Sequence, residues 1–140
     1  SFKIYIHDIG LLVGMLGVEA QTQILLGNLG IYKGAVYENL VADIFNKLDK
    51  PLYYYEKNAS IELDFNIADG LEVVAVEVKS SSNTKSKSLD SALQQALVQK
   101  GIRFSMRNLS QKKNILDIPL YCSNFIKLSH TTKSVAILVV

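Results

Sequence analysis

The chain has 140 residues, of which 49% are hydrophobic and 20% are charged. This length and composition are typical of a single globular domain that buries a core. No apolar run approaches the roughly eighteen residues that cross a bilayer, and neither end has a signal-peptide pattern, so we expect a cytoplasmic protein with no membrane partner. The single cysteine, Cys122, can form no internal disulfide, which fits a reducing compartment.

The formal net charge of +2 hides a strong asymmetry along the chain. Residues 1–77 contain 5 lysines against 11 acids, whereas residues 78–140 contain 10 basic residues against 2 acids. A basic half of this kind is what a surface for a polyanion needs, although lysine-rich surfaces also serve solubility alone.

The first thirty residues carry weak signals. The alternation in residues 2–7 predicts a short strand, and Asp8 is placed to cap a helix over residues 9–16. Residues 27–34 are rich in glycine but lack the Gly-Lys-Ser/Thr order of a phosphate loop, so we predict a linker there. Such a start is expected for the middle of a longer protein.

Residues 35–48 predict an amphipathic helix. Its apolar stripe consists of Tyr37, Leu40, Val41, Ile44, Phe45 and Leu48, and the side predicted to face solvent carries Asn39, Asp43, Asn46 and Lys47. Glu38 lies at the edge of the stripe, about 20° beyond Phe45 on the helical wheel. It is either a surface glutamate or an acid that helps to hold a cation.

A β-hairpin is predicted over residues 61–79, after a strand that begins at residues 52–55. Asp69-Gly70 is a strong two-residue turn signal, because both central residues of a type I′ turn need a positive φ. With that pair as the turn, Ala68 faces Leu71 and Asp64 faces Ala75.

This register separates the side chains by chemistry, since residues of one strand alternate between the two faces of the sheet. One face holds Ile61, Leu63, Phe65, Ile67, Val74, Val76 and Val78, and the other holds Glu62, Asp64, Ala75, Glu77 and Lys79. Asp64 and Glu77 become diagonal neighbours about 7 Å apart, close enough for both carboxylates to reach one divalent cation. Lys79 is placed to relieve their repulsion or to donate to a substrate phosphate. Any one of these acids by itself is more typical of a solvated surface.

The basic half begins with a polar loop over residues 80–88, in which Lys85 and Lys87 are either phosphate contacts or part of a mobile solvated loop. Apolar and small residues at helical spacing predict a helix over residues 88–99, ended by Gly101 in a left-handed cap.

Residues 102–107 alternate apolar with basic side chains and predict a strand with Arg103 and Arg107 on one face. Strand, helix and strand in this order imply a right-handed crossover that sets the new strand beside residues 71–79. A last strand is predicted near residues 114–121, at the edge of the sheet because of Pro119.

Two resemblances carry the functional prediction. Asp64, a tight turn and Glu77-Val78-Lys79 resemble the core motif of the PD-(D/E)XK nucleases, which have the restriction-endonuclease-like fold. Over residues 2–126 the chain also resembles the uncharacterised domain found at the C-terminus of certain bacterial and archaeal AAA-type ATPases. The matching blocks are residues 2–5 with 8–12, 34–41, 62–65, 77–80 and 118–121.

These resemblances imply an α/β domain over residues 1–128 with a restriction-endonuclease-like core, in which helices flank a mixed sheet centred on the hairpin. They also imply an ATPase domain outside this sequence, and they leave residues 129–140 as an apolar tail of uncertain status.

The implied activity is metal-dependent hydrolysis of DNA. Asp64 and Glu77 would bind Mg²⁺ or Mn²⁺ with Glu38 as an additional acid, and Lys79 would orient water or stabilise developing charge. The residues expected to contact nucleic acid are Lys85, Lys87, Arg103 and Arg107. The alternatives are a non-catalytic module with which the ATPase binds DNA or a protein, and a structural oligomerisation domain.

Overall fold

The computed structural model describes residues 3–57, 60–81 and 85–126, and over these residues the chain is an α/β domain with a mixed six-stranded sheet. The helices are α1 (Ile9–Met15), α2 (Gly17–Leu25), α3 (Lys33–Lys47) and α4 (Lys87–Gln94), with 3₁₀ turns at Gly30–Tyr32 and Leu120–Phe125. The strands are β1 (Tyr53–Lys57), β2 (Ile61–Asp69), β3 (Glu72–Val78), β4 (Lys100–Ser105), β5 (Ser110–Lys112) and β6 (Ile115–Pro119), in the spatial order β1-β2-β3-β4-β6-β5. The predicted tail at residues 129–140 lies outside the described residues. Among the described residues, no helix combines the length and the apolar character needed to span a bilayer.

The segment that precedes α1 does not form the predicted strand, since residues 3–7 pair with none of the strands in the described part of the chain. Its partner is the side chain of Asn39 on α3. The Asn39 Oδ1 accepts the Ile6 N–H at 2.7 Å, and its Nδ2 donates to the Ile6 carbonyl at 2.9 Å. One amide therefore satisfies both backbone groups that a neighbouring strand would otherwise satisfy. Asp8 caps α1 as predicted, because its Oδ1 accepts the Leu11 N–H at 2.8 Å.

Helix α3 has the predicted apolar stripe as far as Phe45, whereas Leu48 lies beyond its end and is exposed. Its polar side is not solvated throughout. Asn39 and Asp43 are each only 4% exposed, because the N-terminal segment covers that side of the helix. Asp43 pairs with Lys47 at 2.6 Å and lies 3.4 Å from the His7 ring. The prediction that this side faces solvent was wrong for these two residues, since sequence periodicity does not show what lies against a helix.

The central hairpin exists, but its register differs by two residues from the predicted one. Asp69 pairs with Glu72, so Gly70 and Leu71 form the turn. Gly70 has φ 65°, and Leu71 is fully exposed at the tip. A positive φ at the first central residue alone is the requirement of a type II′ turn, which glycine meets without strain. The pairing of β2 with β3 ends at Phe65 and Val76.

Strand β2 contains a bulge that the sequence did not reveal. Tyr53 pairs with Asn66 and Tyr55 pairs with Leu63, so two residues of β2 stand against one of β1. The alternation of side chains changes face at this point. Phe65 therefore packs with the core beneath α3, whereas Leu63 packs with the core beneath α4. The prediction of one continuous apolar face from residue 61 to residue 67 was wrong for this reason.

Helix α4 connects β3 to β4, and the two strands pair in parallel as predicted. The helix ends at Gln94 and not near residue 99, and the residue with a left-handed backbone is Ala96, with φ 53°. Gly101 lies inside β4. A Cβ on Gly101 would come within 2.8 Å of the Leu89 side chain, so the glycine permits close packing of α4 on the sheet.

Strand β6 is not the edge of the sheet, contrary to prediction, because the short strand β5 folds back and covers it. Pro119 ends β6, where it stands beside Ser105 of β4, and β5 pairs only with Ile115 to Asp117. The missing N–H of proline therefore costs the outer pairing nothing.

Candidate functional site

Three acids from two elements surround one lysine at the open end of the hairpin. The Lys3 ammonium lies 2.9 Å from Glu38 Oε1, 3.1 Å from Glu62 Oε1 and 3.6 Å from Asp64 Oδ1. We call these four residues the Lys3 cluster. It lies on the α3 side of the sheet, because α3 carries Glu38 and the N-terminal segment carries Lys3.

Lys3 and Tyr5 are two residues apart on an extended segment, so both side chains point to the same side. The Tyr5 hydroxyl donates a short hydrogen bond to Glu38, and its ring packs 5.2 Å from that of Phe65. Burial, and then this hydrogen bond, raise the pKa of Tyr5 well above its usual range. Burial alone would lower the pKa of Lys3, but the neighbouring carboxylates outweigh it and the pKa is raised.

Asp64 links the Lys3 cluster to the second strand of the hairpin. Its Oδ2 accepts the Val78 N–H at 2.8 Å, which replaces a backbone bond next to the bulge. Burial is the main cause that raises the pKa of Asp64 to about 6, the charge of Glu77 raises it further, and the Val78 N–H opposes them. The carboxylates of Asp64 and Glu77 are therefore close enough to repel each other.

Glu77 and Lys79 form an ion pair at the end of β3. The Glu77 side chain is only 7% exposed, and its Oε2 is buried without a hydrogen-bond partner among the described residues. The Lys79 N–H donates to the Phe104 carbonyl at 2.8 Å, so its main chain is fixed while its side chain remains about a quarter exposed. A buried carboxylate oxygen without a donor is costly and indicates a missing partner.

The predicted cation fits part of this arrangement. Among residues 3–57, 60–81 and 85–126, no three side chains of His, Cys, Asp or Glu come together closely enough to hold a metal ion. Glu38 is engaged by Lys3 and Tyr5. Asp64 Oδ1 lies 3.6 Å from Lys3 and Glu77 Oε1 pairs with Lys79, so a cation would compete with these two ammonium groups for the pair of carboxylates. Mg²⁺ is commonly held by one or two carboxylates with water in its other positions. The unpartnered Oε2 of Glu77 is the atom that fits a cation best.

The four residues expected to contact nucleic acid do not share one environment. Lys85 and Arg107 are exposed in loops, and Lys87 is exposed at the start of α4. Arg103 is different, because its side chain is only 11% exposed and its Nη1 lies 3.2 Å from Asp117 Oδ1.

Arg103 belongs to a line of charged residues across the sheet. Glu77 of β3 stands beside Arg103 of β4, which stands beside Asp117 of β6. We call these three residues the charged row. All three side chains are about nine-tenths buried or more, and each has one buried atom without a hydrogen bond among the described residues: Glu77 Oε2, Arg103 Nε and Asp117 Oδ1.

Sequence reasoning missed Lys3 and Tyr5, whose signal was the alternation in residues 2–7 that predicted a strand. It also missed Asp117 as the partner of Arg103. Glu38, Asp64, Glu77 and Lys79 were all singled out, and the structure brings them to one end of the hairpin. A cavity of about 310 Å³ lies next to Lys3 and Glu38, between α1 and α3.

A family model described as "Domain of unknown function (DUF4143)" matches residues 33–122, nearly two thirds of the chain. The matched region includes Glu38, Asp64, Glu77 and Lys79 but not Lys3. No curated protein and no solved structure matches the chain. The prediction of an uncharacterised domain family is thereby confirmed, and both the nuclease resemblance and the ATPase association stay predictions.

Proposed function

The chain belongs to the DUF4143 family, and from that premise we propose that its domain is a metal-dependent nuclease that hydrolyses phosphodiester bonds of DNA. The observation that carries the proposal is the convergence of Asp64, Glu77 and Lys79, with Glu38 beside them, where Glu77 keeps a buried oxygen without a partner. The mixed sheet with a central hairpin between α3 and α4 supports a restriction-endonuclease-like core. In the longer protein the domain would work with an AAA-type ATPase.

Asp64 and Glu77 would hold Mg²⁺ or Mn²⁺. Such an ion supplies Lewis acidity and lowers the pKa of bound water. Asp64 is positioned for this role by the Val78 N–H, which leaves Oδ1 directed towards Lys3. Glu38 is held by Lys3 and Tyr5 and acts as the outer acid of the site.

Lys79 is the residue that would act on the phosphate. Its main chain is anchored by Phe104, so the ammonium can leave Glu77 for a phosphate oxygen without moving the strand. There it would stabilise charge that develops as the bond to the leaving oxygen breaks. The DNA backbone would follow the exposed Lys85, Lys87 and Arg107, whereas the buried Arg103 would contribute only through its field.

One observation favours the second candidate, a non-catalytic module with which the ATPase binds DNA or a protein. The Lys3 ammonium already compensates Glu38, Glu62 and Asp64 without any metal. A cluster compensated in this way is also stable as a structural element.

Lys79→Ala separates the two candidates. In a nuclease the ammonium acts mainly on the transition state, so the substitution should lower the rate of Mg²⁺-dependent cleavage by about 100-fold or more while Mn²⁺ binding stays nearly unchanged. In a binding module it should cost only a modest, salt-sensitive part of the DNA affinity. The measurements are cleavage of plasmid and oligonucleotide DNA, together with calorimetric titration of Mn²⁺.

Two variants control this experiment. Asp64→Asn should abolish both Mn²⁺ binding and cleavage, and Lys50→Ala, which removes a lysine that forms no ion pair with these acids, should change neither. The cleavage assay includes the longer protein with ATP. If the wild-type protein cuts neither DNA nor RNA with any divalent metal in that setting, the nuclease proposal is wrong.

A further inference from the structure

A second cavity of about 480 Å³ lies on the α4 side of the sheet, between α4 and the turn that joins β5 to β6. This volume is within the range of small-molecule sites and is several times larger than an inorganic phosphate needs. The cavity shares no residue with the Lys3 cluster or with Lys79. Arg103, which forms part of its wall, is the strand neighbour of Glu77.

The rim of the cavity carries two adjacent cations. Lys112 and Lys113 are exposed, and the ion pairs among the described residues all use other cations. Lys113 occupies the turn with φ 51°, a left-handed conformation that costs a non-glycine residue about 1 kcal/mol or more. Asn or Gly would adopt this conformation with less strain.

The wall beneath these lysines contains the ion pair of Arg103 and Asp117. Both side chains are about nine-tenths buried, and Arg103 Nη1 lies 3.2 Å from Asp117 Oδ1, so the charges of this wall compensate each other. Asp90 is the other acid that lines the cavity, and it is exposed.

The remaining walls suit an organic group better than a bare anion. Leu93 and Ile115 are half-buried members of the core beneath α4 and present apolar surface, and Gln94 and Asn114 add amides that can both donate and accept. A flat base fits the apolar and amide part, and a phosphate fits the two lysines.

We propose that this cavity binds a nucleoside monophosphate, either as a free nucleotide or as the phosphorylated end of a nucleic acid strand. The phosphate binds at Lys112 and Lys113, and the base lies against Leu93 and Ile115. This inference does not rest on the proposed nuclease activity, because its residues are separate from the acids of that site.

The probe for this site is adenosine 5′-monophosphate, titrated calorimetrically into the 140-residue chain with adenosine and inorganic phosphate as the comparison ligands. The nucleotide should bind at least about tenfold more tightly than either part alone, because only it uses both ends of the cavity. Equal binding of the nucleotide and inorganic phosphate, or no binding of the nucleotide at about 5 mM, would overturn the proposal.

The variant Lys112→Gln with Lys113→Asn tests the location without threatening the fold, because Asn tolerates the backbone of position 113. It should weaken nucleotide binding by about tenfold or more. The matched control, Lys33→Gln with Lys50→Gln, removes the same charge elsewhere and should leave binding unchanged. Equal weakening in both double variants would mean a diffuse charge effect and would reject the site.

Three further ligands separate the sources of the phosphate from a protein partner. A 5′-phosphorylated oligonucleotide that binds more tightly than its unphosphorylated form identifies a strand end, and binding of the mononucleotide alone identifies a free nucleotide. Both results support the site. An acidic peptide that displaces the nucleotide and binds more tightly would instead identify a protein surface and contradict the proposal.

Discussion

The Lys3 cluster and the charged row belong to the same sheet and compensate their charges in different ways. In the cluster, one ammonium meets three carboxylates that are 20–56% exposed, so water completes what the lysine does not satisfy. In the row, Glu77, Arg103 and Asp117 are largely shielded from water, and within the described part of the chain Glu77 Oε2 and Arg103 Nε have no hydrogen-bond partner.

The Lys3 cluster and the charged row therefore differ in how much the loss of one charge should destabilise the domain. Removing one member of a partly hydrated cluster lowers the free energy of unfolding only slightly, because water replaces the lost partner. Removing one member of a buried row lowers the free energy of unfolding much more, because water cannot solvate the charge that remains. Costly buried polar groups of this second kind are therefore the better markers of ligand sites.

The largest effect is expected from Arg103→Met in the charged row. It leaves the carboxylate of Asp117 buried without its cation, so the free energy of unfolding should fall by about 3–5 kcal/mol. Urea denaturation monitored by circular dichroism measures it.

Arg107→Met is the matched control, because Arg107 is exposed and its replacement should change stability by less than about 0.5 kcal/mol. The double variant Arg103→Met with Asp117→Leu should recover much of the loss, since it removes both charges. If Arg103→Met costs no more than the control, the contrast between the row and the cluster fails.

Asp64→Asn should have the next largest effect, and its sign is stabilising. The pKa of Asp64 in the folded protein is about 6, against an ordinary value of 3.8. Between these pH values the folded state binds more protons than the unfolded state, so the stability of the wild type falls as pH rises through this window. At pH 7 the variant should therefore be more stable by roughly 2 kcal/mol, and at pH 3.5 this advantage should vanish.

Glu62→Gln is the control for that experiment, because Glu62 is the most exposed acid of the Lys3 cluster. Thermal denaturation from pH 3.5 to pH 8 should show almost no pH-dependent difference from the wild type. A lower stability of Asp64→Asn at pH 7 would mean that the contact of Asp64 with Lys3 outweighs its desolvation.

The smallest effect is expected from Lys3→Met, although this lysine has three acidic neighbours. Because the acids are partly hydrated, the free energy of unfolding should fall by only about 1–2 kcal/mol, and less at high salt. Mn²⁺ should stabilise this variant more than the wild type, since Asp64 Oδ1 no longer faces an ammonium. Lys100→Met, which removes the single surface pair with Glu72, should show neither the loss nor the greater response to Mn²⁺.

Short-range patterns predicted the parts of this domain that depend on short-range physics. The apolar stripe predicted α3, and the turn signal around Gly70 predicted the hairpin. The order of a strand, a helix and a second strand predicted that β3 and β4 pair in parallel. Glu38, Asp64, Glu77 and Lys79 were found because their residue types and spacing are unusual for a core.

Contacts between segments that are far apart in the chain decided the features that the sequence did not predict. Asn39 is polar and lies on the side of α3 opposite the stripe, so only the N-terminal segment folded over it makes it a buried clamp. Arg103 alternates with apolar residues like a surface arginine, and only β6 and α4 bury it against Asp117. The bulge in β2 depends on its pairing with β1, which no local signal in residues 61–69 records.

The sequence by itself determined which residues could form helices and strands and which acids could serve chemistry, because propensity, periodicity and residue type are local properties. Only the tertiary structure decided which charges share a partner, which are shielded from water and which face each other. Those outcomes depend on distances between segments that lie far apart in the chain, and small shifts such as a two-residue change of register alter them. Lys3 shows this most clearly, since nothing within residues 2–7 indicates the three carboxylates that the fold brings to its ammonium.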